Sequence, residues 1–339
     1  MDRPLTRAHP LLAATLVLTA CRAKTPVDWR PSHDARSRLS SESAETGPLS
    51  DRLARPDLAD LVVLYGAEAG GALGPCGCDA SPRGGLARIK IYADATRERS
   101  PRASVWLVDA GGWLDATIGG DGRPRKDAMA ANHWMVRGMH VLDPIALNVS
   151  WSDLQSLSGF ETAPELPLVS AHIRGPGIRP FVESTVGDQR VVLTGIAHEG
   201  PSLLVPDRYT LGDSVEGVRQ ALKDADVHPE DLVVLLSSQS NTVSAMLARE
   251  GLVDLVIDAR QYRHREPAFR VEDAVWVKAH HQTMRLGELR MDLREGRIDR
   301  ALDRKIELHD TLPADPNLER WARTAEQEVK RVRKAHYGF

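Results

Sequence analysis

What most constrains this chain is the order of its apolar runs. They stand at 61-LVVLY-65, 104-SVWLVDA-110, 145-IALNV-149, 167-PLVSA-171, 190-RVVLTGI-196, 231-DLVVLLS-237 and 253-VDLVI-257. Each has strand length and too few polar residues to leave one face in water. Helical patterns lie between several of them, at 85–98, 126–139, 213–225 and 242–250. Buried strands separated by helices build a parallel sheet, because the crossover helix carries the chain back to the same end. After residue 267 the pattern turns to alternation, in FRVED, AVWVKAH, RLGELRMDLREG and IDRALDRKIEL, as antiparallel strands require. A charged helix is expected from about Asn317 to Lys334, opened by Asp315-Pro316. The expected fold class is therefore α/β, with two mixed sheets and helices outside.

The amino-terminal residues set an expected compartment. Arg3, Arg7 and His9 precede the apolar run 11-LLAATLVLTA-20, and Cys21 follows it. That is the make-up of a secretory signal, too short to span a bilayer comfortably. The order Leu-Thr-Ala-Cys resembles a bacterial lipobox, in which the Cys21 thiol is diacylated and the chain is cut just before it. Acyl chains anchor a protein to a membrane without a spanning helix. Residues 22–57 are polar, with Ser, Pro and charges and no apolar period, and read as a flexible tether. The expected divisions are a signal peptide at 1–20, lipidated Cys21 and tether at 21–57, a main domain at 58–312 and a charged helix at 313–339. The expected partners are the membrane, through the anchor, and a periplasmic protein or redox partner in the bacterial cell envelope. A net charge of −3 leaves no footprint for a nucleic-acid polymer.

The stretch 74-GPCGCDASPRGGLARIK-90 holds Cys76 and Cys78, two of the three cysteines in the chain. One glycine separates them, so their sulfurs can close a small ring or face one metal ion. Gly77 supplies the unusual dihedrals that a tight Cys-x-Cys ring needs. Gly84 and Gly85 open a helix whose amino terminus, with Arg83 and Arg88, lowers a nearby thiol pKa. An inert disulfide, an exchanging disulfide and a soft-metal site all remain open on these residues. With Cys21 assigned to lipid and an oxidising compartment, the pairing carried forward is a reversible Cys76–Cys78 disulfide, the candidate redox pair.

These pieces resemble the calcineurin-like metallophosphatases, and among them the periplasmic 5'-nucleotidase-like proteins. The resemblance is sharpest for a subgroup with a Pro-Cys-Gly-Cys loop and a Gly-Gly-Leu-Ala-Arg turn. Here those are Pro75, Cys76, Gly77, Cys78 and Gly84, Gly85, Leu86, Ala87, Arg88. It runs from about Asp60 to Leu308 and implies a four-layer α/β/β/α sandwich with a site at the carboxyl ends of the strands. Selenoprotein members of the subgroup imply redox chemistry in part of it.

The resemblance also implies two metals, held by hard oxygen and imidazole donors at several strand ends. Matched position by position, those donors are missing. Glu68 stands for an Asp and Gly70 for a His. Gly112 stands for the bridging Asp, and Trp151 and Ser152 for an Asn-His pair. Ser238 replaces a His, and Asp258 to Tyr262 replace a Gly-Gly-His-x-His stretch. No metal is therefore expected in such a centre; the alternative is a Mn or Zn hydrolase with an atypical shell of Glu68, Asp109, Asp153, His172 and other histidines. Glu68, Asp109, Asp153 and His172 are expected to line a ligand cleft as remnants without catalytic duty. His133, His140, His198, His280 and His281 read as surface or hydrogen-bonded histidines.

Overall fold

The computed structural model describes residues 38–44, 49–53, 59–75, 82–198, 200, 205–260, 267–280 and 283–338. Cys21, Cys76, Cys78, Tyr262 and His281 lie outside the described residues. Along the chain run β1 (Arg38–Ala44), α1 (Leu49–Arg52), β2 (Leu61–Gly66), α2 (Leu86–Arg99), β3 (Ser104–Asp109), α3 (Lys126–Leu142), β4 (Ala146–Asn148) and α4 (Trp151–Leu157). Next come β5 (Leu168–Val169), β6 (Ile173–Arg174), β7 (Ile178–Arg179), β8 (Phe181–Val186), β9 (Gln189–Ala197), β10 (Thr210–Leu211), α5 (Ser214–Asp224) and β11 (Leu232–Ser238). The last are α6 (Asn241–Arg249), β12 (Leu255–Asp258), β13 (Phe269–Val271), β14 (Ala274–Lys278), β15 (Arg285–Arg294), β16 (Arg297–Glu307) and α7 (Pro316–Tyr337).

Both large sheets are mixed. The eight-stranded sheet has the order β1-β16-β15-β2-β3-β4-β5-β7, and the six-stranded sheet β13-β14-β12-β11-β9-β8. β2, β3, β4, β5 and β7 run parallel, and the β15/β16 hairpin joins them antiparallel to β2. In the second sheet β9, β11, β12 and β14 are parallel, with β8 and β13 antiparallel at the rims.

Strand side chains alternate between faces, and both faces are covered. Leu61, Val63 and Tyr65 of β2 pack between the sheets with Leu232, Val234 and Leu236 of β11. Val62 and Leu64 turn to the other side and pack under α2 and α3 with Leu86, Tyr92 and Met135. On the far side Val233 and Leu235 pack against Val218 and Ala221 of α5 and Ala245 of α6. The result is the four-layer α/β/β/α sandwich, with three apolar layers between four structural ones.

Three features of the fold go beyond the reading of the sequence. Residues 38–44, placed within the tether, form β1, parallel to β16 from Arg38↔Arg300 to Ala44↔Ile306. A sheet rim asks for backbone groups more than for apolar side chains, so a polar segment can fill it. Ser41 Oγ also accepts the Ala268 N–H at 3.0 Å, fastening β1 beside the second sheet. The C-terminal helix is not a separate appendage: Trp134 Nε1 donates to Glu328 at 2.8 Å and Arg333 Nε to Asp127 at 2.8 Å, binding α7 to α3. The polar side of β15 is buried rather than wet. Glu288 lies under α2 and accepts from Arg304 Nη1 at 2.9 Å, from Arg290 Nη1 at 3.4 Å and from the Tyr92 hydroxyl. Among the described residues no helix is long and apolar enough to cross a membrane.

Candidate functional site

β2 and β3 end side by side at Gly66 and Asp109, and the loops beyond them stay paired. Ala110 N–H donates to Gly66 O at 2.9 Å, Glu68 N–H to Gly111 O at 2.8 Å and Gly70 N–H to Gly112 O at 2.9 Å. The loops turn through left-handed backbone, with φ of 52° at Glu68, 57° at Gly70 and 79° at Gly112. At Gly112 there is no room for a side chain either. A Cβ there would lie 3.1 Å from Glu68 Cγ and 3.2 Å from its Cα.

α4 closes the third side with a capping box. Ser150 Oγ accepts the Asp153 N–H at 3.2 Å, and the Asp153 carboxylate accepts the Ser150 N–H at 3.0 Å. That carboxylate also takes the Ser150 hydroxyl at 2.6 Å, Gly112 N–H at 2.7 Å and Leu114 N–H at 2.9 Å. Asn148, fully buried at the end of β4, donates to Ala110 O at 2.8 Å and Ile196 O at 3.0 Å, and so staples the two sheets at their carboxyl ends.

An open cleft of about 390 Å³ results, lined by Glu68, Gly70, Gly112, Ser150, Ser152 and Ser238 among others. Serine hydroxyls, glycines and two carboxylates, Glu68 and Asp115, line it. Of the four residues expected to line it, Glu68 does. Asp153 lies beneath it, wholly buried, and serves the loops; burial raises its pKa, and the Ser150, Leu114 and Gly112 donors pull it back down.

Asp109 faces the other way. Strand parity puts it with Leu107 on the helix side, in a narrow apolar cavity lined by Leu86, Leu107, Met139, Leu142 and Leu147. Burial pushes its carboxyl up to about 8 against the Gly111 N–H, and the Asp153 and Glu68 charges add to the rise. His172 is buried at the start of β6, against Gly217 of α5. Burial lowers its pKa to about 4, opposed by Asp213, and its Nδ1 lies 3.4 Å from Ser170 Oγ. Glu68, Asp109 and Asp153 therefore lie within range of one another's charge at the strand ends, though only Glu68 opens to the cleft, and His172 stands apart beside Asp213. What separates Asp109 from the cleft is strand parity, which turns its side chain to the helix side of β3.

At the described matched positions the donor set does not fit a dinuclear metal centre. The matched positions bring Glu68, serines and glycines, and at the end of β12 the cation Arg260, whose N–H donates to Asp258 at 2.9 Å. Two divalent ions need several anionic or imidazole donors converging on one point. Among the described residues no group of three or more His, Cys, Asp or Glu is placed to hold a metal.

Sequence reasoning passed over Ser150, Asn148 and Gln239. Gln239 donates to Ala197 O at 3.0 Å and Ser214 Oγ at 3.3 Å, and accepts the Ser240 N–H at 2.7 Å. The Ser150-x-x-Asp153 spacing was a readable capping signal, and Asn148 a readable polar break in an apolar run.

No family model matches the chain, and no curated protein matches it. Solved structures do. The sulfate thiohydrolase SoxB of Thermus thermophilus superposes with a TM-score of 0.66 at 14% identity, over 81% of this chain and 62% of that one. A 5'-nucleotidase precursor, also from Thermus thermophilus, gives 0.62 at 17%, over 80% and 59%. The NAD nucleotidase of Haemophilus influenzae gives 0.58 at 12%, over 80% and 60%. At such identities the likeness is one of fold: a metallophosphatase-type scaffold of the 5'-nucleotidase and SoxB kind. The chain spans about three fifths of the length of these structures.

Proposed function

We propose that this chain is a lipid-anchored, exported binding module on a metallophosphatase-type scaffold, without dinuclear metal hydrolysis. The contact between Glu68 and Gly112 carries the reading. Where the resemblance expects a carboxylate bridging two cations there is a glycine, and the Glu68 side chain packs over it. Asp109, the nearest other strand-end carboxylate, is turned away and held protonated up to about pH 8. A small cleft lined by serine hydroxyls suits a hydrogen-bonding ligand. Nucleotides are the first ligands to try, because the printed names of two of the similar structures are those of nucleotidases.

The deciding experiment adds Mn²⁺ or Zn²⁺ to the purified protein, then measures bound metal together with phosphoester turnover on nucleotides and aryl phosphates. The expected result is turnover at background and metal below stoichiometry. Robust turnover that disappears in Glu68→Ala would overturn the reading and restore the atypical-shell hydrolase. In parallel, a nucleotide-induced rise in melting temperature without metal, abolished by Ser238→Tyr across the cleft, supports binding.

Two parts of the proposal rest on sequence motifs. Cys21→Ser should release the protein from the membrane fraction, and retention there would remove the anchor from the account. Thiol labelling before and after a mild dithiol reductant should show Cys76 and Cys78 blocked, then free. Two free thiols in fresh protein would end the redox reading.

A further inference from the structure

Beyond the cleft, between the first turn of α2 and helix α7, lies a groove of about 610 Å³. Much of its wall is short and apolar: Ala72, Ala87, Ala131, Ala322 and Ala325. Two arginines line it, in different states. Arg323 is largely exposed and stands 3.6 Å from Glu319 on the same helix. Arg88 is 8% exposed, its Nη1 donates at 2.8 Å to the neutral Gly84 carbonyl, and its buried Nε has no hydrogen-bond partner among the described residues. Among the described residues the carboxylates lining the groove, Glu319 and Glu326, are engaged with Arg323 and Lys330 on α7. A guanidinium this deeply buried, with no counter-charge among the described residues, is costly unless something anionic completes it.

The backbone adds to the same field. Arg88 sits in the first turn of a 14-residue helix with no acidic residue in that turn; Gly85 N–H already donates to Thr283 Oγ1 at 3.1 Å and Leu86 N–H to Leu73 O at 2.9 Å, so the helix start contributes its dipole rather than free donors. Helix amino termini carry partial positive charge and favour anions. Gly84 and Gly85, at φ of 85° and 95°, press this helix start against the chain at 73–75. A Cβ on Gly85 would lie 3.2 Å from the Gly74 carbonyl carbon and the Pro75 nitrogen.

We propose that this groove binds a small organic monoanion. Its carboxylate or sulfonate lies against Arg88 and the first turn of α2, and its slim apolar body follows the alanines towards α7. One buried guanidinium matches a single negative charge. The alanine walls leave space for an unbranched chain. The groove meets the strand-end cleft at Ala72, which lines both, but no residue of the cleft is needed for the binding proposed here.

The test is calorimetric titration of the whole protein with octanoate, octanesulfonate, octanol and acetate. Both octyl anions should bind, with octanol and acetate weaker by about tenfold or more. Arg88→Met, which keeps the bulk of the side chain, should weaken the anions about tenfold and leave octanol unchanged. Gly74→Leu fills the groove from its other wall, where a Cβ would meet Ala322 Cβ at an ordinary 3.6 Å, and should weaken both octyl anions with Arg88 in place. Lowering the pH through the carboxylic acid range should weaken octanoate and spare octanesulfonate, because the guanidinium stays charged. If circular dichroism shows Arg88→Met unfolded, Gly74→Leu and the head-group series decide. Octanol binding as tightly as octanoate, anion affinity unchanged in both variants, or no binding of either octyl anion at millimolar concentration would each overturn the proposal.

Discussion

The Asp153 carboxylate accepts the Gly112 N–H at 2.7 Å, so the first turn of α4 holds the loop after β3 across 41 residues of chain. Its other oxygen takes the Leu114 N–H at 2.9 Å. Removing the acceptor leaves buried N–H groups without partners. Asp153→Ala should therefore cost about 2–4 kcal/mol in urea unfolding. A loss within ~0.5 kcal/mol would show that the loops hold themselves.

Asp109 predicts a pH dependence whose sign is opposite to the common carboxylate case. Its folded pKa, about 8, lies above the ordinary 3.8, so between those values the folded protein holds a proton that the unfolded chain releases. The stabilising contribution is full below the ordinary value and is lost as pH rises through about 8. Asp254 and Asp258, raised by burial to about 6, add to the same slope in its lower part. Asp109→Asn has no proton to lose. Its stability relative to the parent should rise steadily from acid to alkaline pH in urea titrations, and a constant difference would contradict the burial argument.

Gly112→Asp tests whether one substitution rebuilds a metal position. The backbone there has a φ of 79° and an added Cβ would crowd Glu68. The variant should lose about 1–3 kcal/mol of stability and gain no Mn²⁺-dependent turnover. Turnover appearing in this single variant would mean that the remaining donors suffice.

Glu288 is fully buried between Arg304 at 2.9 Å and Arg290 at 3.4 Å. Taking away its charge leaves two buried guanidinium groups poorly compensated. Glu288→Gln should destabilise by about 3–5 kcal/mol, read from denaturant midpoints. A near-neutral effect would show that Tyr92 and Ser100, with Arg290 Nη2 at 3.0 Å from the latter, are enough to satisfy the pair.

Much of the sandwich was legible in the sequence because its buried strands are continuous apolar runs. β2, β9, β11 and β12 all sit where such runs stand, and α2 begins one residue after the Gly84-Gly85 pair. What escaped notice has physical causes. β1 is held through backbone pairing at a rim, which leaves little trace in side-chain pattern. Glu288 and Arg290 alternate with Leu289 and Met291 as they would with one face in water, and composition does not say that α2 covers them. The candidate cleft was half legible. Glu68 could be placed by counting from the strand end, but Asp109 needed the parity of β3 and Asp153 needed its capping partners.

Long strands at the margin of a sheet are open invitations to a second copy of the same chain. β16 runs 11 residues, from Arg297 to Glu307, whereas the opposite margin of its sheet is β7, two residues long. The segment 38–44 occupies the longer of the two. A polar stretch thus covers residues 300–306 of that long strand, and so shortens the run of unpaired backbone that another chain could extend.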